Sequence, residues 1–512
     1  MKKITLTMAQ TAAMMAILTL GSKIVGFARE LVMANYYGAG MVTDAYVMSQ
    51  TIPNYLLSAI ISAVGTSYMP CFSRKQELEG PESGNRFTSQ LINFQLVLVV
   101  SIIIIGEIFA SPLVNIFARG FSPEAKELTV YYLRIAFLIA ICNIFISVLG
   151  SYMQYKGRFV APLVISFAQS ASIIVFTVIS AYTTNYVLIY GLVVGYGIRA
   201  IFYVFLSKGS GFRYSANFEF GPLVKEVTVL AIPVFLGGCV SQVNSMIDRM
   251  LASDLAEGSV SALNYGNLVV GVISSLSIGI LTTMLYPKFN QAVARDEYEK
   301  VSTLACEAVN LIAVIAVPFT LGCMLYSEDV IQILFERGAF TAAATGLTAE
   351  AFRYYALTLL FSGIASLIGF IYYSLKDTKT AVYCSLVAIA VNITLNIILV
   401  KSMGVAGLAL ATGVSSIVNC TLMYVSFRKQ NSEIRLISSV KKLVLILLFS
   451  AAAVGISYLF YIYIAPAISI ARMVRLGLAV LLAVGVYLIF LYIARFEELK
   501  LIKDLIGHGK QN

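Results

Sequence analysis

The sequence predicts an all-α, polytopic membrane protein of about 14 transmembrane helices, by the length a helix needs to cross a bilayer. Three observations carry that prediction. Hydrophobic residues make up 59% of the chain and charged residues only 12%, about half the charged share usual in soluble domains. Apolar runs of about 20 residues recur from end to end. Strand-type alternation is missing, so helices rather than a barrel make the crossings. A soluble chain of 512 residues keeps a polar skin and could not hide this much apolar surface.

In chain order the expected spans centre near Ala16, Leu57, Val100, Phe137, Ile174, Val194, Phe235, Ser274, Ile315, Leu360, Ile389, Ala411, Phe449 and Leu481. Lys2 and Lys3 ahead of the first run resemble a secretory leader. The run continues through Lys23 and Arg29 without a small-residue cleavage site, so it is expected to stay as a span.

An internal repeat organises the middle of the chain. Ile116-Phe117-Ala118-Arg119-Gly120-Phe121 resembles Leu334-Phe335-Glu336-Arg337-Gly338-Ala339-Phe340 at an offset of 218 residues. Tyr131-Tyr132-Leu133-Arg134 and Phe352-Arg353-Tyr354-Tyr355 follow the two copies, and Arg29 falls opposite Asp248. An even number of spans separates the copies, which makes them parallel repeats, the usual chassis for rocking alternating access. The expected organisation is an N-lobe over 1–222, a C-lobe over 223–430, and a final helical pair with a tail over 431–512. The two lobes read as pseudo-symmetric six-helix bundles. The last pair has no partner in the first half and is expected to line a lipid-facing groove.

Charge sets the orientation. With the N-terminus in the cytoplasm, 24 of the 36 Lys and Arg residues fall in cytoplasmic segments and 6 outside. The positive-inside rule then puts both termini in the cytoplasm. The net charge of +10 is accounted for by loops facing anionic lipid headgroups, not by nucleic acid.

Several chemistries are disfavoured. Cys71, Cys142, Cys239, Cys306, Cys323, Cys384 and Cys420 sit in or beside apolar segments without CxxC spacing, and read as small core residues. The one histidine, His508, lies in the tail, which rules out a histidine proton relay. Loops such as Ser73–Arg86 and Lys208–Pro222 are too short for a catalytic domain, so no enzyme is expected. A membrane-bound glycosyltransferase would need paired carboxylates or a metal motif in long external loops.

Charges inside a span are costly and mark function by default. Lys23 and Glu30 share a helix face, with Arg29 about 100° round. Gly21 and Gly26 thin that face, admitting a ligand or a neighbouring helix. The planar guanidinium of Arg29 suits a pyrophosphate or carboxylate; an internal Arg29–Glu30 pair that fastens helices is the alternative. Asp248 lies within the seventh span, Asn392 and Asn396 share a face of the eleventh, and Thr412 follows on the twelfth. One carboxylate with neutral oxygens suits a hard cation such as Na⁺; the asparagines could equally bridge helices. No other cofactor is expected. Asp254 and Glu257 read as a solvated loop.

Gly26-Phe27-Ala28-Arg29-Glu30, Tyr37-Gly38-Ala39-Gly40, Thr43-Asp44-Ala45 and Ile52-Pro53-Asn54 resemble the opening of the MurJ (MviN) lipid II flippases, of the multidrug/oligosaccharidyl-lipid/polysaccharide exporter superfamily. Leu334 to Thr341 and Tyr372 to Thr380 extend the likeness to about residue 425. The resemblance implies a cationic cavity carrying undecaprenyl-pyrophosphate-linked sugar-peptide outward across the bacterial cytoplasmic membrane. Membrane lipid and the cell-wall synthesis machinery are the partners implied. It maps substrate residues onto Lys23, Arg29, Glu30 and Asp44, and a sodium site onto the C-lobe cluster. Two departures stand out. Leu56, Leu57 and Ser58 occupy the place of a second-span Arg, and the Asn267-Leu268 region that of an eighth-span Arg. Arg249 could compensate or simply pair with Asp248, so a related polyprenyl-linked glycan stays open as cargo. A cation-coupled drug exporter of the same superfamily would want acids where Lys23 and Arg29 stand.

Overall fold

The structure is a computed structural model and describes residues 8–216, 218, 221–464, 471–496 and 498. Lys2, Lys3 and His508 lie outside that range, as do the side chains of Cys239, Leu56 and Ser58. The described regular structure is helical: α1 (Met8–Tyr37), α2 (Met41–Pro53), α3 (Ala59–Glu79), α4 (Pro81–Ile108), α5 (Ala110–Phe117), α6 (Pro123–Phe137), α7 (Ile139–Tyr155), α8 (Val160–Tyr182), α9 (Leu188–Lys208), α10 (Pro222–Ser253), α11 (Ser259–Ala294), α12 (Tyr298–Leu325), α13 (Ser327–Phe335), α14 (Ala342–Tyr355), α15 (Leu357–Ser374), α16 (Thr378–Gln430), α17 (Val440–Leu459) and α18 (Arg472–Ile493). Among the described residues, nine helical segments are long and apolar enough to cross a membrane. The chain is therefore an integral, multi-pass membrane protein.

Prolines and glycines shape these helices. Pro53 removes a backbone donor, and the chain passes through a π turn at Asn54–Ser58 before α3 begins. In α16 two helical arms meet at Gly404, whose φ of 57° and ψ of −130° are open to glycine and closed to side-chain-bearing residues.

The helix ends repeat at the offset seen in the sequence. α5 ends at Phe117 and α13 at Phe335; α6 gives way to α7 around Leu138, and α14 to α15 around Ala356. Both pairs are 218 residues apart. The two copies share their secondary structure down to the same mid-span break.

The chain divides into two compact units, Met1–Ser261 with Arg337–Ala344, and Ala262–Glu336 with Thr345–Asn512. In the first, α1 packs on α8, α8 on α9, α2 on α6 and α10 on α3. Small residues let α8 and α9 approach: a Cβ on Gly191 would lie 2.6 Å from the Cβ of Phe176, the close packing that holds helices together in lipid. Met33, Tyr46, Tyr132, Leu188 and Leu192 form one core, and Tyr68 stacks between Phe72 and Phe87. In the second unit α15 lies along α16, α12 contacts α15 and α17, and α17 packs on α18. Ile312, Leu367, Ile368, Tyr372 and Phe427 lie at its centre.

Candidate substrate-binding site on the first helix

Arg29 and Glu30 are neighbours on α1, positions that do not face each other on a helix. Their long side chains curl together instead. Arg29 Nε donates to Glu30 Oε1 at 3.0 Å, and Nη2 donates to the same oxygen. The Arg29 side chain is 29% exposed and that of Glu30 13%. Tyr46 of α2 and Tyr196 of α9 share the electrostatic surroundings of Arg29. Lys23, two turns earlier, is exposed. The two glycines of this face divide the roles expected of them. A Cβ on Gly21 would meet the Phe167 ring of α8 at 3.1 Å, whereas Gly26 faces open space.

Tyr196 also borders a small pocket within the first unit, whose lining includes the polar groups Gln50, Asn54 and Asn143. Arg249 of α10 donates to the Thr51 hydroxyl of α2, and Asp248 beside it is buried. Arg249 therefore lies against α2 within the first unit.

Asp44 is occupied by the protein itself. It is only 3% exposed. Oδ2 accepts the N–H of Gly258 at 2.7 Å, and Oδ1 accepts both the N–H of Ser261, at 2.7 Å, and its hydroxyl. The carboxylate caps the first turn of α11, satisfying donors that a helix start leaves free. Glu257 does the reverse, its Oε1 accepting the N–H of Met41 at the start of α2 at 2.9 Å. Asp254 pairs with Arg119, and this hydrogen-bonded carboxylate holds the Arg119 guanidinium above its usual range. The acids read from the sequence as a solvated loop are thus tied into the fold, through partners more than a hundred residues away that local pattern could not reveal.

Asn392, Asn396 and Thr412 come together in the second unit. Asn392 Nδ2 donates to Thr412 Oγ1 at 3.2 Å, and Asn396 Nδ2 to Asn392 Oδ1 at 2.7 Å. Asn392 and Thr412 stand on opposite arms of α16, so the bond between them staples the two arms across Gly404, while Asn396 steadies Asn392 from the same arm. Asp248, the carboxylate expected with them, belongs to the first unit. Groups of three or more acidic, His or Cys side chains suited to a metal are absent among the described residues.

A further groove lies wholly in the second unit, between α12 and α18, lined by Val314, Pro318, Phe319, Leu476, Val480 and Val484 among others. Its walls are apolar throughout.

Long apolar helices, a doubled helix pattern and charged groups on a span define a membrane transporter of the kind formed by the multidrug and lipid exporters. An inward-facing multidrug resistance MATE family transporter of the MOP superfamily superposes with a TM-score of 0.65 at 14% identity, covering 82% of this chain and 96% of that one. A lipid II flippase MurJ in an inward closed conformation superposes with a TM-score of 0.82 at 23% identity, covering 96% and 99%. The family model described as Lipid II flippase MurJ matches residues 33–491, and the chain belongs to that family. Similar relatives include the probable lipid II flippases MurJ of Rhizobium tropici, 26% identical over 507 residues with 95% and 94% of the two chains covered, and of Thermotoga maritima, 27% identical over 488 residues with 94% and 96% covered.

Proposed function

We propose that this chain carries lipid II, an anionic polyprenyl-pyrophosphate sugar-peptide, from the inner to the outer face of the bacterial cytoplasmic membrane by alternating access, with both termini in the cytoplasm. The observation that carries the reading is the Arg29–Glu30 pair on α1. A guanidinium kept in a span and neutralised only by its neighbour can exchange that carboxylate for a phosphate oxygen at low electrostatic cost. Lys23, on the same helix, adds charge along the path, and Arg249 supplies a further cation from α10. The apolar groove beside α18 fits a polyprenyl chain, which needs a long wall without polar groups. The transport step requires no covalent chemistry of the protein. Asp44, placed with the substrate residues by resemblance, acts here by shaping the start of α11.

The test is complementation of a strain depleted of its own lipid II flippase. Arg29→Ala is expected to abolish rescue and lipid II accessibility at the outer face while protein levels stay normal. Normal growth on Arg29→Ala as sole flippase refutes the role given to this residue.

A second reading, coupling to Na⁺, draws on the Asn392–Thr412 cluster. Its amide and hydroxyl oxygens suit a hard cation. Asn392 Oδ1 and Thr412 Oγ1 already accept hydrogen bonds there, so an ion would have to replace those two bonds.

A further inference from the structure

Arg199 stands near the middle of the span Asn185–Lys208. Val194, Ile201, Phe202 and Phe205 mark the exposed face of α9, while Leu192, Gly195 and Tyr203 are buried. On a helical projection Arg199 shares the buried side, one turn beyond Tyr196. Its recorded partners are neutral. Nη1 donates to Gln169 Oε1 of α8 at 2.9 Å. The guanidinium carbon sits 5.9 Å from the centre of the Tyr203 ring. Nε is buried with no hydrogen-bond partner, and among the described residues no carboxylate pairs with Arg199.

This contrasts with Arg29, whose charge Glu30 balances. A guanidinium inside a span without a counter-ion is expensive and is kept where an anion visits. Tyr37 at the end of α1 packs in the same core as Leu188 at the start of α9. At 1.5 Å per residue, Arg29 lies about 12 Å and Arg199 about 17 Å from that shared end. The two cations are thus within about a helical turn in depth, and Tyr196, three residues before Arg199 on α9, shares the electrostatic surroundings of Arg29.

We propose that Arg199 is a second anion-binding residue, taking the phosphate-bearing headgroup of the cargo one turn deeper than Arg29 and supplying charge that Leu56 to Ser58 and the Asn267 region lack. This rests on the reading of the cargo as a pyrophosphate-linked lipid.

The test is binding of farnesyl pyrophosphate and of uncharged farnesol to the purified full-length protein in lipid nanodiscs. Arg199→Gln is expected to weaken farnesyl pyrophosphate about tenfold, the loss of one charge-assisted contact, and to leave farnesol unchanged. Arg199→Lys should fall between, having charge without the planar fork. Gln169→Met, which removes the neutral partner and keeps the charge, should tighten pyrophosphate binding. It decides the matter if Arg199→Gln does not fold. Unchanged pyrophosphate binding in the folded Arg199 variants, or in Gln169→Met if they do not fold, overturns the assignment. If Arg29→Gln loses affinity in that case, the wider reading stands; if it also binds normally, both fall.

Discussion

The carboxylate of Asp44 accepts the backbone N–H of Ser261 at 2.7 Å, so a residue of α2 caps a helix that starts more than two hundred positions later. Glu257 caps α2 from the other side. The two helix starts hold each other.

Removing this cap leaves buried donors unmet. Asp44→Ala is expected to cost about 1–3 kcal/mol, read as a lower melting temperature of the purified protein. Asp44→Asn should lose less, because an amide oxygen still accepts one bond. Equal melting temperatures for wild type and Asp44→Ala would count against the cap.

Gly338 has φ of 57°, and a Cβ there would stand 2.2 Å from the carbonyl oxygen of Asn35. Gly157 has φ of 70° with nothing within 4 Å. Alanine at either site incurs left-handed strain of about 1–2 kcal/mol. Only Gly338→Ala adds a clash with backbone, so it should destabilise clearly more than Gly157→Ala in the same thermal melt. Matching losses would rule out the close contact.

Asp377 lies outside the spans and caps α16, accepting the N–H of Thr380 at 3.1 Å. Hydrogen bonds from Thr380 hold its carboxyl below the usual range, against the upward push of partial burial. A carboxyl lowered on folding stabilises at pH above its unfolded value, near 3.9, and that contribution disappears as pH falls through the folded value. Asp377→Ala should therefore cost about 1 kcal/mol at neutral pH, discounted for solvent screening. The difference from wild type should shrink below about pH 4. A gap that persists at pH 3 in melts of both proteins would contradict the capping role.

If Na⁺ binds at the α16 staple, replacing K⁺ by Na⁺ should raise the melting temperature of the wild type and not that of Asn392→Ala. Without Na⁺, Asn392→Ala should still lose about 0.6 kcal/mol, typical of a hydrogen bond between membrane helices. Identical melting in Na⁺ and K⁺ for the wild type ends the sodium reading.

The membrane class and the doubled pattern were open to reading because hydropathy and a fixed offset are written along the chain. Arg29 and Glu30 stood out for the same reason, as charges in an apolar run. The capping contacts of Asp44 and Glu257 could not be read, since they depend on backbone donors brought to each acid from the other half of the repeat. Gly21 and Gly26 look alike in sequence, yet only the packing of Phe167 tells them apart. The neutral surroundings of Arg199 depend on Gln169, thirty residues away on another helix, and are not written in its own segment.

The Arg-Gly motifs make two contacts of one kind. Gly338 lies against Asn35 at the end of α1, and Gly120 against Ser253 at the end of α10, where an added Cβ would again be 2.2 Å from a carbonyl oxygen. Asn35 and Ser253 are 218 residues apart, as are the two glycines, so each copy of the repeat grips the other at the equivalent place. A single grip of this kind acts as a pivot, about which the joined parts can still turn. Two grips remove that freedom and behave as a bolt thrown from both sides, which must be drawn at both points before these loops can separate.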